Sequence, residues 1–106
     1  MLCISSSDVV YIAGPIAGRP DGNAAAFARA EAYLREHCKC EVINPARRSP
    51  GLSYCEYMAI SMLDLDKCTC VALLPDWITS IGAGCERAVA RRVGLPVHHL
   101  PPEALK

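Results

Sequence analysis

The sequence predicts an α/β domain, a three-layer Rossmann-like (flavodoxin-like) sandwich built on a parallel sheet of four to five strands. Three observations carry that reading. Short, β-branched apolar runs alternate with segments whose apolar residues recur at spacings of three and four. Each apolar run stops at a glycine or proline turn. A length of 106 residues with 52% apolar content supplies one core and not two, so residues 1–106 are read as a single domain. Strands that alternate with helices pair in parallel through right-handed crossovers, with helices covering both faces of the sheet.

The elements follow in order. Asp8-Val9-Val10-Tyr11-Ile12-Ala13 reads as a buried strand that Gly14-Pro15 opens into a loop. Asn23 is placed to cap a helix with Phe27, Ala30 and Leu34 on its apolar face and Glu31 and Arg35 on a more polar one. Cys40 to Ile43 form a second strand, ended by Asn44-Pro45 because the residue before a proline is driven out of the helical region. A basic, turn-rich loop leads to Ser53, which with Glu56 makes a capping box for a helix running to about Lys67. Cys70-Val71-Ala72-Leu73-Leu74 is apolar throughout, as suits a central strand covered on both faces. Ser80 caps a third helix that Gly94 ends, and Leu95 to His99 give a fourth strand.

Eleven basic and eleven acidic side chains cancel, so no long-range field draws the chain to a nucleic acid polymer or an anionic membrane. The longest apolar stretches fall far short of the ~20 residues that cross a bilayer, and Met1-Leu2-Cys3 is too brief for a signal-peptide core, so a cytoplasmic location is expected. Seven cysteines are an odd number, and reduced thiols acting as small apolar residues are expected. The pairs Cys38/Cys40 and Cys68/Cys70 are spaced more tightly than structural zinc favours, and their members are expected to face one side of a strand as packing partners. No metal site is predicted.

In an open sheet of this kind ligands bind beyond the carboxyl ends of the strands, where the loops Gly14–Asn23, Asn44–Ser53 and Pro75–Gly84 converge. The sharpest local feature is Ser80-Ile81-Gly82-Ala83-Gly84-Cys85-Glu86. Gly82 and Gly84 let a ligand approach free N–H groups at the positive end of a helix, Ser80 adds a hydroxyl, and Glu86 lies within two turns. The same pattern also fits a plain capped helix with glycines for close packing and Glu86 in solvent. Tyr11 precedes the tight exit Ala13-Gly14-Pro15 and is either a cleft residue or a buried phenol with a satisfied hydroxyl. Trp77 can stack on a base or cover the edge of the core. Arg19, Arg47 and Arg48 border the predicted cleft and receive no definite role.

Taken together, Tyr11-Ile12-Ala13-Gly14-Pro15, Asn23, Phe27, Asn44-Pro45, Leu73-Leu74-Pro75-Asp76-Trp77 and Ser80-Ile81-Gly82-Ala83-Gly84-Cys85-Glu86 resemble the nucleoside 2-deoxyribosyltransferase superfamily, in particular its small, mostly uncharacterised phage and bacterial members. The resemblance runs from about Val9 to Val97. It implies a nucleoside or nucleotide substrate and no cofactor. Glu86 would be the nucleophile at the anomeric carbon, Tyr11 the residue that orients it, and Ser80 a phosphate contact. Gly14, Pro15, Gly82, Gly84, Asp76 and Trp77 would line the substrate site. A carboxylate in that position traps an oxocarbenium-like centre as a glycosyl-enzyme, which water or a second base resolves. Relatives commonly build pockets across subunit boundaries, so a homo-oligomer is expected.

The chain departs from the superfamily at the helix aspartate and at the acidic residue eight positions later, where it has Ser61 and Thr69. Serine is no general acid at neutral pH. Asp64, one helical turn after Ser61, and Asp76 in the pocket loop are the candidates to replace it. The expected function is an N-glycosidase or deoxyribosyltransferase, and the alternative is a nucleotide-binding or sensing module that kept the pocket and lost the chemistry.

Overall fold

A computed structural model describes residues 2–106. The alternating pattern is realised as β1 (Val9–Ala13), α1 (Ala24–Cys38), β2 (Glu41–Ile43), α2 (Tyr54–Lys67), β3 (Cys70–Leu73), α3 (Ile81–Arg92) and β4 (Val97–His99). Short 3-10 turns occupy Pro20–Asn23, Pro45–Arg47, Trp77–Thr79 and Pro102–Leu105. The four strands are all parallel, in the order β2-β1-β3-β4. This is the doubly wound, flavodoxin-like arrangement, with four strands where four to five were predicted.

Period-two alternation along the two central strands builds two cores. Val10 and Ile12 of β1, with Cys70 and Ala72 of β3, meet Phe27, Ala30 and Leu34 of α1, and Leu100 and Ala104 of the tail close that side. Tyr11 and Ala13, with Val71 and Leu73, face the other way, against Leu65 of α2 and Ala83 and Ala90 of α3. All four residues of β3 are buried, as a parallel strand covered on both faces requires. The register Tyr11↔Val71 therefore aims the Tyr11 side chain into the layer of α2 and α3.

The caps of α2 and α3 form as their sequences dictate. Ser53 accepts from Glu56 N while Glu56 accepts from Ser53 N, and Ser80 Oγ accepts from Ala83 N at 3.1 Å. Past the end of α3, Gly94 takes φ +86, a left-handed conformation that glycine adopts without a Cβ penalty.

Four local expectations are corrected. Asn23 does not cap α1: its backbone is left-handed (φ 63), and its side chain turns away to donate from Nδ2 to Pro15 O at 2.9 Å, pinning the β1–α1 loop. Glu31 is buried, not on a polar face, because Arg35, Asn44 and Arg47 converge on its carboxylate. Burial pushes that carboxyl up, but its hydrogen bonds to Arg35 and Asn44 and the charge of Arg47 outweigh this and hold it below the usual range. Cys68 and Cys70 lie in different cores, because Cys68 caps α2 and strand alternation begins only at Cys70. All four strands are shorter than expected, by one residue for β1, β2 and β3 and two for β4, since flanking residues serve turns and caps.

From β1 the chain crosses to β2 on one side, then returns past β1 to β3 on the other, so loops part at the carboxyl ends of β1 and β3. Gly14 leaves β1 at that point and presses against the neighbouring loop. A Cβ there would sit 2.4 Å from Leu74 Cδ1, and Leu74 is fully buried with no room to move. Gly14→Ala is expected to destabilise the fold by about 1–3 kcal/mol, the usual cost of overpacking a core, read as a lowered denaturant midpoint with unchanged slope.

Candidate active site

A cleft of about 290 Å³ opens at the parting of the loops. Gly14, Ile16 and Ala17 form one wall, Leu52 and Tyr57 the opposite one, and Ser80, Gly82 and Ala83 at the start of α3 the floor. The floor takes this form because of the sequence around Gly82. With Ala83 N used by the Ser80 cap and Gly84 N bonded to Ser80 O, the N–H groups of Ile81 and Gly82 have no carbonyl within their own helix. Gly82 keeps the approach open, since the space a Cβ would fill has no atom closer than Met58 Sδ at 3.8 Å. Gly84 does not line this cleft, and its Cβ direction points into open space.

One helical turn beyond that floor, Glu86 projects into the layer between the sheet and α2, where it is 1% exposed. The alternative of a solvated glutamate is thus overturned. Its Oε2 accepts the hydroxyl proton of Tyr11 in a short hydrogen bond. A phenol has one proton and the carboxylate is the stronger acceptor, so the 3.1 Å contact between Tyr11 and Ser61 falls to the serine hydroxyl to donate. Arg48 closes the cluster. Its Nη1 donates to Ser61 Oγ at 2.9 Å, and its Nη2 to Tyr11 Oη at 3.2 Å and to Asp64 Oδ2 at 2.8 Å, with the guanidinium carbon 4.5 Å from the centre of the Tyr57 ring. Ser61 is fully buried, and the Arg48 and Asp64 side chains are 11% and 18% exposed.

The electrostatics follow from this geometry. Burial raises the Glu86 carboxyl above the ordinary carboxylate range, against the opposing pull of the neighbouring Tyr11 and Ser61 hydroxyls and of the Arg48 charge. Burial, and then the Glu86 charge, push the Tyr11 phenol far up, so it remains a proton donor at any physiological pH. Tyr57, which lines the cleft, is raised for the same two reasons.

The structure brings together most of the residues singled out from sequence. Tyr11, Glu86 and Asp64 share the buried network, while Gly14, Ser80 and Gly82 line the cleft. Asp76 is drawn instead to Arg19 at 2.8 Å, and Asp64 holds the Arg48 guanidinium. Pro15 is buried behind the wall and accepts from Asn23. Trp77 lies on the far side, against the core of α3 and β4 and beneath Arg87, so it covers the core edge. Thr69 sits at the opposite end of the sheet, where its hydroxyl donates to Asp8 at 2.6 Å and accepts from Val9 N, tying β1 to β3. Arg48 and Tyr57 received no role from sequence. Nothing local separates Arg48 from Arg47, although the Arg47 side chain is 71% exposed. Ser61, read from sequence only as the absence of an acid, is a polar residue on the same helical stripe as Tyr57 and Leu65, and the burial that stripe implies is the signal left unused.

The fold and its cleft define a doubly wound α/β domain with a ligand-type pocket at the strand switch point. A family model described as a domain of unknown function (DUF4406) matches residues 8–99, and the chain belongs to that family. No curated protein and no solved structure matches it. Among the described residues no helix is long and apolar enough to cross a membrane.

A carboxyl whose folded pKa is raised adds stability below its unfolded pKa, and that stability is lost as pH rises through the folded pKa. Glu86→Gln keeps the shape and an acceptor for Tyr11 without the charge. At neutral pH it is expected to melt above the parent chain, by about 1.4 kcal/mol for each pH unit by which the carboxyl is raised, with the gap closing in acid. A parent chain more stable than Glu86→Gln at neutral pH contradicts the assignment.

Proposed function

We propose that the chain binds a nucleoside or nucleotide in the cleft and cleaves or transfers at its N-glycosidic bond, with Glu86 as the nucleophile. The observation that supports this reading is the placement of the carboxylate one turn beyond a glycine-floored pocket, oriented by the Tyr11 hydroxyl. The resemblance of the Tyr11 and Ser80-to-Glu86 motifs to nucleoside 2-deoxyribosyltransferases supplies the reaction class.

In the reaction the anomeric C–N bond breaks, its electron pair leaves with the base, and an Oε of ionised Glu86 bonds to the anomeric carbon. Water then releases the sugar, or a second base accepts it. A phosphate on the substrate has Ser80 and the free N–H group of Gly82 within the same cleft. The base leaves with a proton from water or from Tyr57, since Asp64 and Asp76 are each held by an arginine. The full seal over Glu86 favours a second reading, a nucleotide-binding or sensing module without turnover.

Chromatography of the protein incubated with each nucleoside and nucleoside 5′-monophosphate, with and without an acceptor base, separates the two. The leading reading expects free base whose release rises with pH as Glu86 ionises and falls at least a hundredfold in Glu86→Gln. Full turnover in Glu86→Gln overturns it. Saturable nucleotide binding by calorimetry, with no base released, establishes the binding module instead.

A further inference from the structure

A second depression, of about 390 Å³, runs between α3 and β4 on a different face of α3 from Glu86. Arg87 and Arg91, one helical turn apart, and His99 line it, together with the Gly94-Leu95-Pro96 turn and Val97. No acidic side chain lines it, and neither arginine is ion-paired among the described residues. Two unneutralised guanidinium groups at this spacing repel each other on a helix. A last-turn position accounts for a basic residue at 91 through the helix dipole, but not for Arg87.

Arg87 is fixed in place. Its guanidinium carbon lies 5.0 Å from the centre of the Trp77 ring, and its Nε is buried with no hydrogen-bond partner. The Trp77 ring is in turn 6.3 Å from that of His99. The backbone adds donors. β4 is an edge strand whose inner side is set by Val71 N donating to Pro96 O (3.0 Å) and Leu100 N donating to Leu73 O (2.9 Å). The alternate residues Val97 and His99, which both line the depression, therefore leave their N–H groups free at the outer edge of the sheet.

We infer that this depression is a binding site for a phosphate group, carried by inorganic phosphate or by a small phosphate ester. A phosphate offers the oxygens that planar guanidinium groups bind in pairs, and its charge relieves the repulsion between Arg87 and Arg91. The site is independent of any chemistry at Glu86, because none of the residues that line it lines the cleft.

Trp77 is the only tryptophan in the chain, so its fluorescence reports on Arg87 directly. The test is a titration of the full chain with inorganic phosphate, and separately with ribose 5-phosphate, at ionic strength held constant with sodium chloride. A saturable change in Trp77 emission is expected, with a dissociation constant raised at least tenfold in Arg91→Ala and unaltered in Ser80→Ala. Arg91 is exposed, so its replacement leaves the fold intact, and calorimetry of Arg87→Ala supplies a readout that does not depend on the tryptophan. Equal affinity for the two ligands identifies the free anion, and tighter binding of ribose 5-phosphate identifies the ester. No saturable change with either ligand, or affinity lost in Ser80→Ala and kept in Arg91→Ala, overturns the site.

Discussion

The rest of this structure is arranged around one constraint, that a glutamate is held at 1% exposure between a sheet and two helices in a chain of 106 residues. An isolated ionised carboxylate in such a place is prohibitively costly. Glu86 is tolerated because Tyr11 donates to it from the central strand and because Arg48 brings a positive charge to the same cluster from the β2–α2 loop. Each partner is itself anchored: Ser61 touches both Tyr11 and Arg48, and Asp64 balances the guanidinium.

This network joins elements that backbone hydrogen bonds do not. β1 contributes Tyr11, α2 contributes Ser61 and Asp64, α3 contributes Glu86, and Arg48 comes from a loop. The polar cluster thus fixes how α2 and α3 sit over the sheet, a layer whose apolar contribution from α2 is small, with only Leu65 fully in the core. The cleft inherits its walls from the same arrangement, since Tyr57 lies over Arg48 on one side and lines the pocket on the other.

The sheet was legible in the sequence because its signals are local. Apolar runs ended by Gly14, Pro45 and Pro75, and caps at Ser53 and Ser80, declare strands and helix starts without reference to anything distant. Asn23 misled because the same side chain that caps helices also serves loops, and the left-handed turn through Asp21, Gly22 and Asn23 decided between them. Tyr11, Ser80 and Glu86 were singled out together only through the resemblance of their motifs to a known superfamily, since the local pattern at each also fitted a plain structural reading. Arg48 and Glu31 were not legible, since the fate of a charged side chain depends on which carboxylates, guanidinium groups or hydroxyls other segments bring to it. Arg47 and Arg48 differ by one position, yet one reaches Glu31 across the surface and the other enters the buried network.

Titration of the Glu86 carboxyl carbon by nuclear magnetic resonance, in the parent chain and in Arg48→Met, measures the central constraint directly. The expected carboxyl ionises above the ordinary range in the parent chain and higher still once the guanidinium is gone. Ionisation in the ordinary range, or a titration that Arg48→Met leaves unmoved, would contradict that constraint.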